Sequence, residues 1–315
     1  MSKGKITILG INGHVGRAAA AAFAEAGWSV SGFGRSNRHP QAGVKFIAGD
    51  ADSVEDLRAA IAGAGVVFNG LNLPYDKWFN GRAEAQLASV IAAMGSDGKT
   101  MLFPGNVYNY AASDRLITPQ TQQRPERPRG EIRVRMEAML KAASAQGDFQ
   151  TIVLRAGDFY GPGSQQDWFD QLILREAGKG KVTLSSHEVP HSWAYLPDLA
   201  RAFVVLAAQR QDLASYENLH FRGHFAAAGE VFAAIAAVSP MKLTRVATPW
   251  TMLGAMGLFM PVIREMVKMR YLWDNPMQLQ DARLDALLGP DFGTPLAEAM
   301  GATAAPFFQR QALAA

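Results

Sequence analysis

The first thirty-five residues contain the pattern that most constrains the fold of this chain. An apolar run at 5–9 leads into glycines spaced G-x-x-G-x-x-G, at Gly10, Gly13 and Gly16. An alanine-rich run follows, and a second apolar run ends before Arg35. This order predicts one β-turn-α-β unit of the kind that binds a dinucleotide. Glycine triplets also occur in ordinary turns, so the prediction depends on the flanking strand and helix.

Each glycine of this turn has a predicted physical role. Gly10 ends the strand and permits a tight turn, and Gly16 lets the helix pack closely on the sheet. Gly13 removes a Cβ where the backbone would approach a pyrophosphate, and a helix starting near His14 would direct its free N–H groups at the phosphates. The residues of the turn predicted to bind the cofactor are Gly10, Asn12, Gly13, His14, Val15 and Gly16.

Strand and helix patterns alternate through the first half of the chain, which predicts an α/β Rossmann fold, a doubly wound parallel sheet. Further strands are predicted at 44–50, 65–70, 99–103 and 149–155, with helices at 83–94, 131–145 and 168–177. Prolines between 116 and 130 predict a surface loop. We expect an NAD(P)-binding domain at 1–163, to which elements around 190–225 return. A smaller, mainly substrate-binding region is expected at 164–315.

Composition excludes several other classes of function. The chain has no cysteine, which rules out disulfides, thiolate metal sites and a cysteine nucleophile and favours a cytoplasmic location. A net charge of +3 fits a phosphate-bearing ligand without indicating nucleic acid. The apolar segment 250–263 is shorter than the roughly 20 residues of a membrane span, so we expect a buried helix or a pocket wall and no membrane partner. His187 and His191 flank Pro190, and without an acidic cluster they predict no metal site.

The residues after the second predicted strand indicate which nicotinamide cofactor binds. An acidic side chain there would accept hydrogen bonds from a ribose hydroxyl, whereas a cation accommodates a 2′-phosphate. This chain has Arg35, Ser36 and Arg38 there, and no acid until Asp50. NADP(H) is therefore favoured over NAD(H), although Arg35 could instead stack on the adenine.

Four further motifs extend the pattern over nearly the whole chain. Gly49-Asp50 follows the third strand, Val107-Tyr108 the fifth, and LRAGDFYGPG spans 154–163, with Tyr195-x-x-Asp198 beyond it. With the glycine turn, these make the chain resemble the extended short-chain dehydrogenase/reductases, which include NAD(P)-dependent epimerases and dehydratases of sugar nucleotides. The resemblance implies cofactor contacts from Asp50, Asn69, Gly70 and Asp158, with 158–160 beside nicotinamide and substrate.

The pair of residues that carries this family's chemistry is absent. The family uses Tyr-x-x-x-Lys, in which the cation lowers the phenol pKa, assisted by a Ser or Thr after the fifth strand. None of the seven tyrosines has a lysine four residues later. Aligning Glu137 with the acid that commonly follows the lysine puts Arg129 at the tyrosine position and Arg133 at the lysine position. An arginine cannot serve as the general acid, because its pKa exceeds about 12.

Three hypotheses follow from this departure. The chain is a reductase or epimerase with a relocated acid, a non-catalytic NADP(H)-binding redox sensor, or an assembly factor that keeps the nucleotide for stability. The first is favoured because aromatic and polar residues fall at predicted loop positions, although such residues more often serve packing. The candidate acids are Tyr75, Tyr108 and Tyr160.

The predicted catalytic residues are Tyr108, Arg129, Arg133 and Tyr160. The predicted substrate contacts are Tyr75, Trp78, Asn106, Trp168 and His191, with Trp193 near them. Arginines 124, 127, 129, 133 and 135 could attract an anionic small-molecule substrate or simply form a solvated face paired with glutamates. The resemblance also implies a homodimer formed through the helices at 83–94 and 131–145.

Overall fold

The computed structural model describes residues 3–163 and 167–312. Its strands, in chain order, are β1 Lys5–Leu9, β2 Ser29–Gly34, β3 Val44–Ala48, β4 Val66–Asn69, β5 Thr100–Gly105, β6 Leu116–Ile117, β7 Gln150–Arg155, β8 Asp158–Tyr160, β9 Lys181–Leu184, β10 His191–Tyr195, β11 Tyr216–His220, β12 His224–Ala226, β13 Thr244–Ala247 and β14 Gln278–Leu279. Its helices are α1 His14–Glu25, α2 Val54–Ile61, α3 Arg82–Met94, α4 Pro128–Gln146, α5 Leu196–Ala208, α6 Ala228–Ala237, α7 Trp250–Met256, α8 Pro261–Val267, α9 Tyr271–Asp274, α10 Ala282–Leu288 and α11 Leu296–Ala312.

A seven-stranded parallel sheet forms the centre of the molecule, in the order β11-β7-β5-β4-β1-β2-β3. Its central strands β1 and β4 are mostly apolar and, apart from Lys5, buried, because helices cover both faces. Phe23 of α1 and Phe203 of α5 belong to the core on one face, and Leu57, Leu87 and Leu140 of α2, α3 and α4 to the core on the other. The predicted doubly wound Rossmann fold is confirmed.

The C-terminal half adds three small sheets, β12-β10-β8, β13-β9 and β14-β6. A third apolar cluster joins β10 to α6 and α11, and a fourth lies around Tyr108, Leu272 and Leu279. Strand β14 pairs with β6, which ties the C-terminal region back to the loop after β5. The carboxyl end of the central sheet is thereby covered.

Two predicted helices begin or run differently in the structure. Helix α4 begins at Pro128 rather than 131, because a proline at the first helical position loses no helix hydrogen bond. Instead of the helix predicted at 168–177, the structure has a short π-helix at Phe169–Ile173 and a separate 3₁₀ turn at Ala177–Lys179. The π-helix buries Phe169 and Ile173 together in the third cluster.

Segment 250–263 is predicted to be a buried helix or a pocket wall, and the prediction of a buried helix is wrong. It forms α7, a turn and the start of α8, and several of its apolar side chains are exposed. His191 and Trp193 also lie in strand β10 rather than in a loop. No helix in residues 3–163 or 167–312 is long and apolar enough to cross a membrane.

Candidate functional site

The glycine turn lies at the carboxyl end of β1, and its three glycines have different structural reasons. Gly10 has φ +79°, and a Cβ on it would lie 2.7 Å from the Gly70 carbonyl oxygen. A Cβ on Gly16 would lie 2.3 Å from the Gly10 carbonyl oxygen. Gly13 has φ −74° and is exposed, and its Cβ would make only an ordinary contact, 3.4 Å from the same oxygen. The fold therefore requires glycine at 10 and 16, whereas the bare backbone at 13 faces outward.

The cationic loop after β2 is held by a side chain of the glycine turn. Asn12 donates from Nδ2 to the Ser36 carbonyl oxygen at 2.7 Å and accepts at Oδ1 from the Arg38 backbone N–H at 3.1 Å. The side chains of Arg35, Ser36 and Arg38 are all exposed at this edge of the sheet. Asn12 thus fixes the loop backbone while leaving both guanidinium groups free to meet a ligand.

The start of α1 is bonded to the segment that follows β8. His14 bonds the Asp167 carboxylate through Nδ1, and its Nε2 lies 3.0 Å from the Pro162 carbonyl oxygen. Arg17 donates to the Asn12 carbonyl oxygen at 2.7 Å and to that of Gly163 at 2.8 Å. The turn after β8 therefore lies beside the N-terminus of α1, where a diphosphate would bind.

The other predicted cofactor residues lie along the same edge of the sheet. Asn69 is buried at the end of β4 and accepts from the Leu71 N–H at 3.3 Å, while the Gly70 N–H donates to the Leu9 carbonyl oxygen at 3.0 Å. Asp50 is exposed after β3. Val15 packs on the first core cluster through α1.

A pair of tyrosines forms the centre of the candidate catalytic region. The hydroxyl oxygens of Tyr75 and Tyr108 are 2.5 Å apart. Tyr75 belongs to the 3₁₀ turn Tyr75–Lys77 after β4, and Tyr108 belongs to the 3₁₀ turn Val107–Asn109 after β5. Asn106 accepts the Tyr108 N–H at 3.1 Å and so shapes the second turn.

Helix α4 brings two arginines to this pair. The Arg129 guanidinium lies 4.2 Å from the centre of the Tyr75 ring, donates to the Tyr75 carbonyl oxygen and is 3.7 Å from the Glu265 carboxylate. Arg133 donates to the Pro104 carbonyl oxygen at 2.7 Å. Gly130 permits this approach, because a Cβ on it would lie 2.1 Å from the Tyr108 carbonyl oxygen.

Burial decides the protonation of the two phenols. It raises the pKa of Tyr108 well above the usual value, and Tyr75 and Asp158 raise it further while Arg129 opposes them. Burial also raises the pKa of Tyr75, while its hydrogen bond with Tyr108 opposes the shift. Both hydroxyls therefore keep their protons at neutral pH, and each is a weaker acid than a phenol whose pKa a neighbouring cation has lowered.

A second group of polar and aromatic residues surrounds Asp158. Its Oδ2 accepts from the Trp273 indole N–H at 2.5 Å and lies 3.1 Å from His191 Nε2. His191 Nδ1 lies 3.2 Å from the Leu272 carbonyl oxygen, so the ring can donate to both oxygens only when both nitrogens carry protons. Trp168 stacks on Trp273 at 4.8 Å. Trp273 was not among the predicted site residues, because no motif in the sequence contains it.

Two predicted site residues are buried in the core clusters, and only one of them lies near the tyrosine pair. Tyr160 is fully buried in the third cluster, and its hydroxyl lies 2.8 Å from His224 Nδ1, whereas Tyr108 pairs with Tyr75. Burial raises the pKa of Tyr160. Trp78 is buried in the second cluster and donates to the Leu73 carbonyl oxygen at 2.9 Å, but its ring also lies 5.4 Å from the Arg129 guanidinium and 5.5 Å from that of Arg133, beside the tyrosine pair. The structure does not bring Tyr160 to the tyrosine pair.

A buried ion pair supports the turn that carries Tyr108. Arg155 lies 2.7 Å from the Glu137 carboxylate and donates to the Asn106 carbonyl oxygen at 2.5 Å. Gln123 donates to the same carboxylate at 3.0 Å. Within the described parts of the chain, no three His, Cys, Asp or Glu side chains are grouped so as to hold a metal ion.

Comparison with known proteins gives one family. The family model described as the NAD dependent epimerase/dehydratase family matches residues 6–220. No curated protein matches the sequence.

Several solved structures share the fold. MoeE5 in complex with UDP-glucuronic acid and NAD superposes with a TM-score of 0.76 at 18% identity, covering 98% of this chain and 100% of that one. A UDP-glucose 4-epimerase from Brucella ovis in complex with NAD gives 0.77 at 15% identity, covering 97% and 98%. TunA, an NAD-dependent NDP-hexosamine 5,6-dehydratase, gives 0.71 at 17% identity, covering 98% of both chains. At these identities the similarity shows the fold.

Proposed function

The chain belongs to the NAD-dependent epimerase/dehydratase family, and on that premise we propose that it is an NADP(H)-dependent oxidoreductase or epimerase/dehydratase acting on a carbonyl or secondary alcohol. Tyr108 is its proton donor. The observation that carries the proposal is the hydrogen-bonded pair of Tyr75 and Tyr108 beside Arg129 and Arg133, the positions where the family has its tyrosine and lysine.

The residues around the glycine turn fit the phosphorylated dinucleotide. The N–H groups at the start of α1 would hold the diphosphate, and the bare backbone at Gly13 leaves room for it. Arg35 and Arg38 would meet the 2′-phosphate, because both are exposed and Asn12 holds the backbone between them. Dissociation constants for NADPH and NADH test this preference, and tighter binding of NADH would contradict it.

The proton chemistry of the tyrosine pair favours reduction. When bound, the cofactor supplies a hydride acceptor or donor for the substrate carbon. Tyr108 Oη donates its proton to the substrate oxygen, and Tyr75 Oη donates a hydrogen bond to the phenolate left behind. The protonated Tyr108 phenol can still protonate an alkoxide, which is a much stronger base than a phenolate, although its raised pKa makes it a weaker acid; the phenolate that would have to abstract a proton is scarce at neutral pH.

The buried cation beside the pair bears on the substrate. Arg129 is only 2% exposed, and its nearest carboxylate is 3.7 Å away. An anionic small molecule would complete its hydrogen bonding. UDP-glucuronic acid and UDP-glucose are bound in structures of the similar MoeE5, so nucleotide sugars are the first class to test. Pairing of two copies through α3 and α4 is the corresponding proposal for oligomeric state.

The test is turnover of NADPH with a panel of aldehydes, ketones and nucleotide sugars, followed by absorbance of the reduced nicotinamide. Tyr108→Phe is expected to lower turnover about 10²–10⁴-fold with NADPH binding unchanged. Tyr271→Phe is the matched control, because its buried hydroxyl has no hydrogen-bond partner in the described structure. Full turnover by Tyr108→Phe would contradict the assignment of the donor.

A second candidate function is a non-catalytic NADP(H)-binding redox sensor. It is favoured by the arginines at 129 and 133, since neither can act as the family's acid. Tight NADPH binding without turnover on any substrate of the panel, together with a partner captured in only one redox state, would favour it over the enzyme.

A further inference from the structure

Helices α7 and α8 and the turn between them form a hairpin, residues 250–267, whose tip is apolar and exposed. Leu258 is 75% exposed and Phe259 is 87% exposed. The same surface includes Met252, Met256, Met260 and Val262. Contiguous exposed apolar patches of this kind mark interaction sites. We propose that the tip of this hairpin docks the protein on a bilayer surface that contains anionic lipids.

The hairpin is anchored from below, so its exposed side chains are not needed for folding. Leu253 is buried on its inner face, and Trp250 packs on Trp273 with ring centres 5.3 Å apart. Gly257 lets the two helices approach closely, because a Cβ on it would lie 3.0 Å from the Arg264 Cα. The tip therefore projects from a fixed base with its largest apolar side chains in solvent.

The charges around the tip favour a membrane with anionic headgroups as the binding partner. No acidic residue occurs between Glu230 and Glu265, while α8 and the turn after it carry Arg264, Lys268 and Arg270. Lys268 pairs with the buried Glu265 at 2.6 Å and Arg270 with Asp274 at 3.0 Å, which leaves Arg264, 3.9 Å from Glu265, as the excess cation beside the tip. An apolar tip edged by cations matches the interfacial region and the anionic headgroups of a membrane.

A second copy of this chain fits the surface less well. A two-fold contact between equal tips would bring Arg264 of each copy towards the other, and the nearby Glu265 is buried and already bonds Lys268 of its own chain. The flexible methionines of the tip instead adapt to acyl chains, and the arginine and lysine can extend to the headgroups. Docking at this surface departs from the sequence-based expectation of no membrane partner, and it does not depend on the proposed enzymatic function.

Docking would also place the tyrosine pair near the lipid surface. Helix α8 lies against the turn that carries Tyr75, through Glu265 and Arg129. Trp273, beneath Trp250, bonds Asp158.

The experiment is co-sedimentation of the full chain with sucrose-loaded vesicles of phosphatidylcholine, with and without phosphatidylglycerol. The wild-type chain is expected to sediment with the anionic vesicles, less with the neutral ones, and less at high salt. The double substitution Leu258→Ser and Phe259→Ser is expected to weaken this partition at least about 10-fold. Leu116→Ser is the matched control, because Leu116 is an exposed apolar residue on β6, outside the hairpin.

Each result decides the proposal. Failure of the wild-type chain to sediment with anionic vesicles, or equal sedimentation of the double variant, would overturn it. Sedimentation equilibrium without lipid tests the alternative that a second copy of the chain, and not a membrane, binds the tip. A dimer that becomes a monomer in the double variant, with vesicle binding unchanged, would assign the tip to self-association. Unchanged thermal unfolding of the variants shows that the result does not come from misfolding.

Discussion

Two glycines of the same turn, Gly13 and Gly16, should respond in opposite ways to one added methyl group. Gly16→Ala would place a Cβ 2.3 Å from the Gly10 carbonyl oxygen, so helix and turn must separate. Gly13→Ala would place its Cβ at an ordinary 3.4 Å, and its backbone angles, φ −74° and ψ 157°, suit alanine. Gly16→Ala therefore tests the packing of the fold, and Gly13→Ala tests whether a cofactor approaches this backbone.

The expected magnitudes follow from these contacts. Overpacking at Gly16 costs about 1–3 kcal/mol, against about 1 kcal/mol gained from helix propensity, so the unfolding free energy should fall. Gly13→Ala should leave the unfolding free energy unchanged or raise it by up to about 1 kcal/mol, since alanine restricts the unfolded chain. A methyl group where the diphosphate approaches should weaken NADPH binding at least about 10-fold, which corresponds to about 1.4 kcal/mol.

Urea unfolding measures the first effect, and titration with NADPH, followed by nucleotide fluorescence, measures the second. Gly65→Ala is the control. Gly65 directly precedes β4, at the amino ends of the strands and away from the glycine turn, and a Cβ on it would meet nothing within 4 Å in the described structure. Wild-type NADPH affinity in a folded Gly13→Ala variant would refute the assignment of this backbone to the cofactor.

Three further substitutions test the structure around the tyrosine pair. Glu137→Gln should lower the unfolding free energy in urea by about 3–5 kcal/mol, because Arg155 stays buried without its counter-charge; adding Arg155→Met should recover part of the loss. Burial alone would raise the pKa of Glu137, but the charge of Arg155 outweighs burial and leaves the pKa below its usual value. The ion pair therefore stabilises the fold at neutral pH, and this stabilisation is lost as the pH falls below about 4. Acid titration of the fold measures the loss. Gly130→Ala should lower the thermal midpoint and the turnover together, because its Cβ would push α4 away from Tyr108. Asp281→Ala should cost about 1–3 kcal/mol in urea unfolding, since its carboxylate accepts three backbone N–H groups.

The sheet and the glycine turn could be predicted because their signals are local. An apolar run, a glycine and an alanine-rich run suffice to predict β1, the turn and α1, and the cation at Arg35 follows directly from the end of β2. Ser53 caps α2 by accepting the Asp56 N–H at 3.2 Å, and a serine followed by acidic residues is a local signal of the same kind.

The candidate catalytic region could be predicted only in part, because long-range packing forms it. Tyr75 and Tyr108 were separate candidates, and their hydrogen bond depends on two turns from different strands meeting above the sheet. Trp273 reaches Asp158 from 115 residues away, and no spacing in the sequence encodes that contact. The apolarity of segment 250–263 predicts a buried helix or a pocket wall, and the exposure of Phe259 contradicts burial because apolarity alone does not show what covers a segment.

The position of β11 has a consequence for synthesis on the ribosome. This strand, Tyr216–His220, is the outer neighbour of β7, yet it follows β7 by some sixty residues of chain. Until those residues have emerged, the nascent sheet ends in β7, an apolar strand with one unpaired edge. Asp281 then accepts the His220 N–H, so β11 itself gains a late partner. The nucleotide-binding half is therefore translated well before it can be completed, and a fragment that stops at 163 would have an exposed edge open to aggregation.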